Sequence, residues 1–203
     1  MDTKHRILEA ALSLFSQKGY ANVYVGEIAD AVGIKAPSLY KHYKNKQAIF
    51  DAILEEMQLR YNKETDALNM DGNNARTDAD VFAECSVEEL VEMATRLFLY
   101  FLHDAYASRF RRMLTIEQFH DRELAALYDR HYVDGPLGYQ GMMFALLTAQ
   151  GILRDAHTDI MALQFYAPLY LLLTICDRNP DKEAEALVSL REHVEQFSKL
   201  YGR

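Results

Sequence analysis

The stretch Val25–Phe50, VGEIADAVGIKAPSLYKHYKNKQAIF, constrains this chain more than any other. Ile28, Ala29 and Val32 fall on one side of a short helix. Gly33 follows where a helix ends with positive φ, and Ile34 supplies an apolar plug before the next helix. That second helix opens at Ala36-Pro37, since proline is tolerated in a first turn, and runs to Tyr43. Leu39 and Tyr43 face inward, while Pro37, Ser38, Tyr40 and Lys41 face or flank the outer side. A helix of about two turns does not hold itself together in water. It must be pinned by Leu39, which leaves its outer face free, ringed by Lys35, Lys41, Lys44 and Lys46. This is the sequence form of a helix-turn-helix whose second helix suits a major groove.

A net charge of −8 argues against nucleic acid until its distribution is read. Residues 1–50 hold seven Lys/Arg against four Asp/Glu, and residues 51–203 hold fifteen against twenty-six. A basic head on an acidic body turns the head toward phosphate. With 50% hydrophobic residues and only nine Gly and four Pro, the expected class is globular and all-α. Cys85 and Cys176 give no disulfide framework. The N-terminus lacks a signal-peptide core. The longest apolar run, Leu169–Cys176, is interrupted by Tyr170 and Thr174 and is far short of the ~20 residues that span a bilayer. The expectation is a soluble, cytoplasmic protein with no membrane partner.

Taken in order, helix 1 spans Thr3–Lys18 and ends at Gly19, with Lys4, His5 and Arg6 in its first turn. Asn45 caps a lever-like helix reaching about Leu68. Residues 69–86 read as a loop, from Asp71-Gly72-Asn73-Asn74. Ser86 to Glu89 forms a capping box. A helix from Tyr106 to Phe119 carries Arg109, Arg111 and Arg112 on its polar side, and one from Asp121 to Leu147 breaks near Gly135-Pro136. Thr158–Asp177 is apolar nearly all round, so it must be buried on every side, and near one end of the chain its own domain can cover only part of it. A last helix begins at Asn179-Pro180-Asp181. Two such helices from each of two chains make a four-helix bundle. Phe165, Leu169, Leu172, Leu187, Leu190, Val194 and Phe197 are the expected dimerisation residues.

The N-terminal residues also carry a family resemblance. Ala10-Ala11, Phe15, Lys18-Gly19-Tyr20, Ile28-Ala29, Val32-Gly33-Ile34, Ser38-Leu39-Tyr40, His42-Tyr43, and Lys46 with Ile49-Phe50 resemble the DNA-binding domain of the tetracycline-repressor (TetR) family of bacterial transcriptional regulators. The resemblance covers about residues 3–55. It implies a helix-turn-helix DNA-binding domain, residues 1–46, and a helical ligand-binding and dimerisation domain, residues 47–203. Implied partners are double-stranded operator DNA, a small-molecule effector and a second copy of the chain, with no cofactor. Two positions depart from the pattern: Tyr24 stands where Ser or Thr usually caps the first motif helix, and Gly26 where a DNA-contacting side chain is common.

The candidate DNA-binding residues are Lys4, Tyr24, Lys35, Ala36, Pro37, Ser38, Tyr40, Lys41, His42 and Lys46. Tyr40 and Lys41 carry most of the contact, and His42, Lys46 and the start of helix 1 hold phosphates. Candidate effector residues are Tyr100, His103, Glu117, His120, Tyr139, Met143 and Phe165. The rival reading is a helical metalloenzyme built on Glu117-x-x-His120, the ligand spacing of di-iron carboxylate sites. That site needs the motif twice, and no other histidine has Glu three residues before it. Neither a phosphate loop nor a nucleophile signature is present, so no catalytic or metal residue is assigned.

Overall fold

The computed structural model describes residues 2–203. They form eleven α-helices, with one isolated bridge, Leu153 to Gly202, as the only β-type pairing among the described residues. The helices are α1 Thr3–Lys18, α2 Val25–Val32, α3 Ala36–Tyr40, α4 Lys46–Asp66, α5 Ala75–Glu84, α6 Val87–His103, α7 Ala105–Glu117, α8 Arg122–Tyr132, α9 Asp134–Ala149, α10 Thr158–Arg178 and α11 Glu183–Tyr201. A 3-10 turn, Pro180–Lys182, leads into α11. Packing sorts the chain into two units. The first comprises Met1–Arg60 and Asp104–Tyr128, the second Tyr61–His103 and Asp129–Arg203. This grouping differs from a division at residue 46, because α7 shares its core with α1.

In the first unit α1 buries Ile7, Leu8, Ala11, Leu12 and Phe15. It lies against α7, which buries Tyr106, Phe110, Met113 and Leu114. Phe15, Tyr20, Phe50 and Phe110 form a chain of rings with successive centroids 5.1, 5.1 and 6.1 Å apart. Gly33 ends α2 at φ 75, ψ 32, and the Ile34 N–H closes on Ala29 O at 3.0 Å. A side chain at that φ would be strained, so the tight turn requires glycine. The second motif helix is shorter than expected. It is helical only to Tyr40; His42 N–H bonds to Leu39 O at 2.8 Å, three residues back, and the chain tightens into a turn. Asn45 caps α4 as expected, its Oδ1 accepting from Ala48 N–H at 2.8 Å.

In the second unit one apolar cluster joins α5, α9 and α10 through Ala79, Met143, Phe144, Leu147 and Met161. Another joins α6, α10 and α11 through Val91, Phe98, Leu173, Leu190 and Val194. The capping box at the start of α6 is present: Ser86 N–H donates to Glu89 Oε2 at 2.7 Å, and Glu89 N–H to Ser86 Oγ at 3.3 Å. The long helix after Asp121 does break, at Val133, so α8 and α9 are separate.

Three expectations are corrected. Residues 69–86 are not a loop throughout: α5 fills most of them, with Asn74 Oδ1 accepting from Arg76 N–H at 3.1 Å. Four residues of turn chemistry concealed a helix whose fully buried residues are two alanines and an aspartate, with Phe82 packed beside them. Arg111 is not on a polar face but 1% exposed. Leu190, Val194 and Phe197 are buried in their own chain, at 0, 2 and 9% exposure, so they fill a core rather than a dimer surface. Helix α10 is only partly covered within its own chain, with Ile160, Leu163 and Leu171 47, 48 and 57% exposed. Its 21 residues are long and apolar enough to cross a membrane by length and composition alone, a property that core helices of soluble proteins share.

Candidate nucleic-acid interface

Two buried side chains seat α3. Leu39 is fully buried and Tyr43 nearly so, at 0 and 5% exposure. Between and around them Lys35, Pro37, Tyr40, Lys41, His42 and Lys44 are exposed, and Ala36 and Ser38 are half-buried. The face expected to meet DNA is therefore open to solvent. Lys4 is exposed nearby, its Nζ 5.5 Å from the centre of the Tyr43 ring. An open cleft of about 230 Å³ beside it is lined by residues that include Asp2, Lys4, Tyr43 and Glu55. Burial first, then Asp2 and Glu55, pushes the Tyr43 hydroxyl up to about 12.

The first motif helix lacks a Ser or Thr cap, yet its first turn is not left open. The Glu27 carboxylate accepts from Tyr24 N–H at 2.9 Å and from Lys18 Nζ at 2.6 Å. Those two donors hold Glu27 below the ordinary carboxylate range. Tyr24 itself is 73% exposed, so its ring is free for a partner. At the other end of α2, Arg6 donates to Val32 O at 2.6 Å, which ties helix 1 to the motif. Gly26 has open space where a Cβ would stand.

Lys46 has a different task from the one expected. Its Nζ donates to Tyr20 O at 2.8 Å and Val23 O at 3.0 Å, with Ala21 O at 3.5 Å, and lies 4.3 Å from the centre of the Tyr20 ring. An ammonium has three hydrogens to donate. These contacts occupy them, so Lys46 holds the α1–α2 turn rather than offering its hydrogens to a phosphate.

The expected effector residues do not gather at one place. Glu117 and His120 belong to the first unit, and Glu117 is 2% exposed, accepting from Ala21 N–H at 3.3 Å. It is part of the head. In the second unit, Tyr100 stands by Phe101 and Tyr61, with ring centroids 5.2 and 6.4 Å away. His103 is exposed, its Nε2 3.0 Å from Glu183 Oε1. Met143 is core, and Phe165 packs against both apolar clusters. Tyr139 donates to the buried carboxylate of Asp78, which also accepts from Asp71 N–H at 2.7 Å and Gly72 N–H at 2.8 Å. Burial and that bond raise the Tyr139 hydroxyl. Asp78 escaped the sequence reading because its helix did. Among the described residues no group of three or more His, Cys, Asp or Glu is placed to hold a metal ion.

Residues 7–53 match the family profile described as bacterial regulatory proteins, tetR family. The chain is similar to the HTH-type transcriptional regulator AcrR of Shigella flexneri, 39% identical over 67 residues. That match takes in 30% of this chain and 31% of AcrR, so it spans about a third of the relative's length. The probable HTH-type transcriptional regulator YttP of Bacillus subtilis matches at 24% identity over 99% of this chain and 89% of its own. Among solved structures, SmeT, the repressor of the Stenotrophomonas maltophilia multidrug efflux pump SmeDEF, superposes with a TM-score of 0.64 at 20% identity. The alignment covers 100% of this chain and 92% of that one, and SmeT has also been solved as a triclosan complex, so the likeness is one of whole-chain fold.

Proposed function

We propose that this chain, which belongs to the TetR family of DNA-binding transcriptional regulators, is a cytoplasmic homodimeric repressor released from a palindromic operator by a small molecule. The observation that carries the reading is the α3 surface. A helix too short to stand alone is anchored by Leu39 and Tyr43, and apart from Pro37 what it and its flanks expose is polar, aromatic or cationic. In this reading Tyr40 and Lys41 meet base edges or phosphates, Pro37 and Ser38 meet a thymine methyl or base edge, and Lys4, Lys35 and His42 hold the backbone. Tyr24, exposed at the start of α2, stands with them.

Dimerisation is supported by α10 and α11. Ile160, Leu163 and Leu171 on α10, with Val188 and Leu200 on α11, are exposed apolar residues. Phe165, Leu169, Leu172 and Leu187 are half-buried in the single chain. A second copy covering them would remove apolar surface from water at roughly 25 cal/mol per Å². It would also bring two reading heads to one palindrome. The same cover accounts for an apolar 21-residue helix without a membrane, because only 22% of its most apolar window is buried in one chain.

Repression and release are supported by what related proteins are called: SmeT is a repressor and has been solved with triclosan. We assign this chain the same kind of behaviour, with a functional division near residue 46 into a DNA-binding part and a ligand-binding and dimerisation part. Helix α4, continuous over 21 residues from the head into the second unit, is the element able to carry the signal. A ligand must prefer the released state by about 5.5 kcal/mol to move a 99:1 population to 1:99. The relatives are regulators rather than enzymes, and Glu117 is occupied by the backbone of the head, so neither supports the metalloenzyme alternative. The test is a footprint on the DNA upstream of the gene. Two protected half-sites centred about 34 Å apart, or a multiple of it, support the reading. A protected single site with no symmetry would refute the dimeric form of it.

A further inference from the structure

We infer that Glu117 of α7 and Lys46 of α4 form a two-sided clamp on the α1–α2 turn, positioning the reading helices through the turn's backbone. This extends the repressor reading and rests on it for its consequence at DNA, though the clamp itself stands independently. Residues 19–23 are the hinge through which α1 delivers the chain to α2. They form no regular element of their own. Within the turn only Val23 N–H reaches Tyr20 O, at 3.4 Å, so other backbone polar groups there must be satisfied from outside.

The two satisfying groups carry opposite charges and come from different helices. Lys46 takes the carbonyls of Tyr20 and Val23, while the Glu117 carboxylate takes the Ala21 N–H between them at 3.3 Å. Glu117 is 2% exposed, so its charge is not spread into water. The turn also fits closely around it: Gly19 sits at φ +82, and a Cβ there would run into Glu117 Oε1. The two ends also act on each other. Burial lowers the Lys46 ammonium, and the charge of Glu117 works against that lowering. A charge withdrawn from water is tolerable only when it is hydrogen-bonded and compensated: the turn backbone supplies hydrogen bonds to both side chains, and the charge of Glu117 acts on Lys46.

Both are positioning residues. Neither stands on the exposed face of α3, and Glu117 lies beyond the residues 7–53 that match the family profile. The geometry of the reading head therefore depends on a helix outside that match. Any change that draws α7 away from the turn would loosen α2 and α3 together.

The test uses the full-length protein and three readouts. With Glu117→Gln, the Lys46 ammonium, followed by NMR of its side chain, should titrate lower than in the wild type. Exchange of the Ala21 amide should accelerate by about tenfold or more, the order of one lost charge-assisted hydrogen bond. Operator affinity should fall by about tenfold with an unchanged slope against salt, because no phosphate contact is lost. Lys46→Met should do the same to affinity and slope. A slope flatter by about 0.9 would instead make Lys46 a phosphate contact and overturn its place in the clamp. Unchanged Lys46 titration and Ala21 exchange in Glu117→Gln would overturn the clamp outright. Altered exchange with wild-type operator affinity would overturn its positioning role. If the wild type bound no DNA, the repressor reading would fail while titration and exchange still decided the clamp.

Discussion

Helices α3 and α10 both expose what a folded chain normally covers or neutralises, and they do so in opposite chemical terms. Helix α3 leaves cations and a tyrosine outside: Tyr40 is 51% exposed, flanked by exposed Lys35, Lys41 and Lys44. Helix α10 leaves leucine and isoleucine outside over a length that could have been buried. A polar, cationic face asks for an anion and is satisfied by water until one arrives, so it binds reversibly and salt-dependently. An apolar face asks for another apolar face and is a standing liability without one. On the proposed reading, the contrast separates an intermittent partner, DNA, from a standing one, a second subunit.

The largest expected effect tests the standing partner. Leu171→Asp places a charge on the apolar face of α10 and should convert the dimer to monomer, lowering operator affinity by about 100-fold or more through loss of the second head. Analytical ultracentrifugation with a DNA titration reads both. A variant still dimeric at micromolar concentration would move the interface elsewhere. Next, Leu190→Ala should destabilise the fold by about 2–5 kcal/mol, since that side chain is fully buried in its own chain. Denaturant unfolding of the two variants separates core from interface; equal losses would erase the distinction.

At α3, Lys41→Ala should cost operator binding about 1–3 kcal/mol with relaxed sequence preference if it reads a base. If it meets phosphate instead, the salt slope should flatten by about 0.9. Wild-type binding by that variant would mean α3 is not the reading helix. A smaller gain is expected from Gly26→Ala. No neighbour lies within 4 Å of the new Cβ, and the site is helical, so thermal unfolding should report about 0.5–1 kcal/mol of added stability.

Smallest at neutral pH is Tyr43→Phe. The Tyr43 and Tyr106 hydroxyls are buried without a partner and pushed up to about 12. Because the folded values lie above the ordinary tyrosine value of 10, their contribution is complete below pH 10 and is lost as pH rises toward 12. Tyr43→Phe should leave neutral stability nearly unchanged and make the alkaline loss shallower, in unfolding curves taken from pH 9 to 12. An identical alkaline profile would place the loss in other groups.

The head was legible because its signals are local. Gly33 marks a helix end, Asn45 a helix start, and Leu39 with Tyr43 marks an inner face, each within a few residues of its effect. The body was less legible because burial there is decided by distant helices. Leu187 and Leu190 both lie on α11, yet one is half-buried and the other packs against Val91 and Phe98 of α6, over ninety residues away. No periodicity within α11 states which side another helix will cover. Helix α5 was missed for a related reason. Its start looks like a loop, and its alanines gain meaning only against Met143 and Leu147 of α9. From sequence alone Glu117 reads as a ligand contact, because a carboxylate on a helix has no visible partner until the turn at Ala21 is brought to it.

The most direct test of the account is binding of the full-length protein to the DNA upstream of its gene at several salt concentrations, with its solution mass measured in parallel. The expected result is sequence-preferring binding that weakens steeply with salt, by a species of twice the 23.4 kDa chain mass. A monomer that binds no DNA in preference to any other, at any salt concentration, would contradict it.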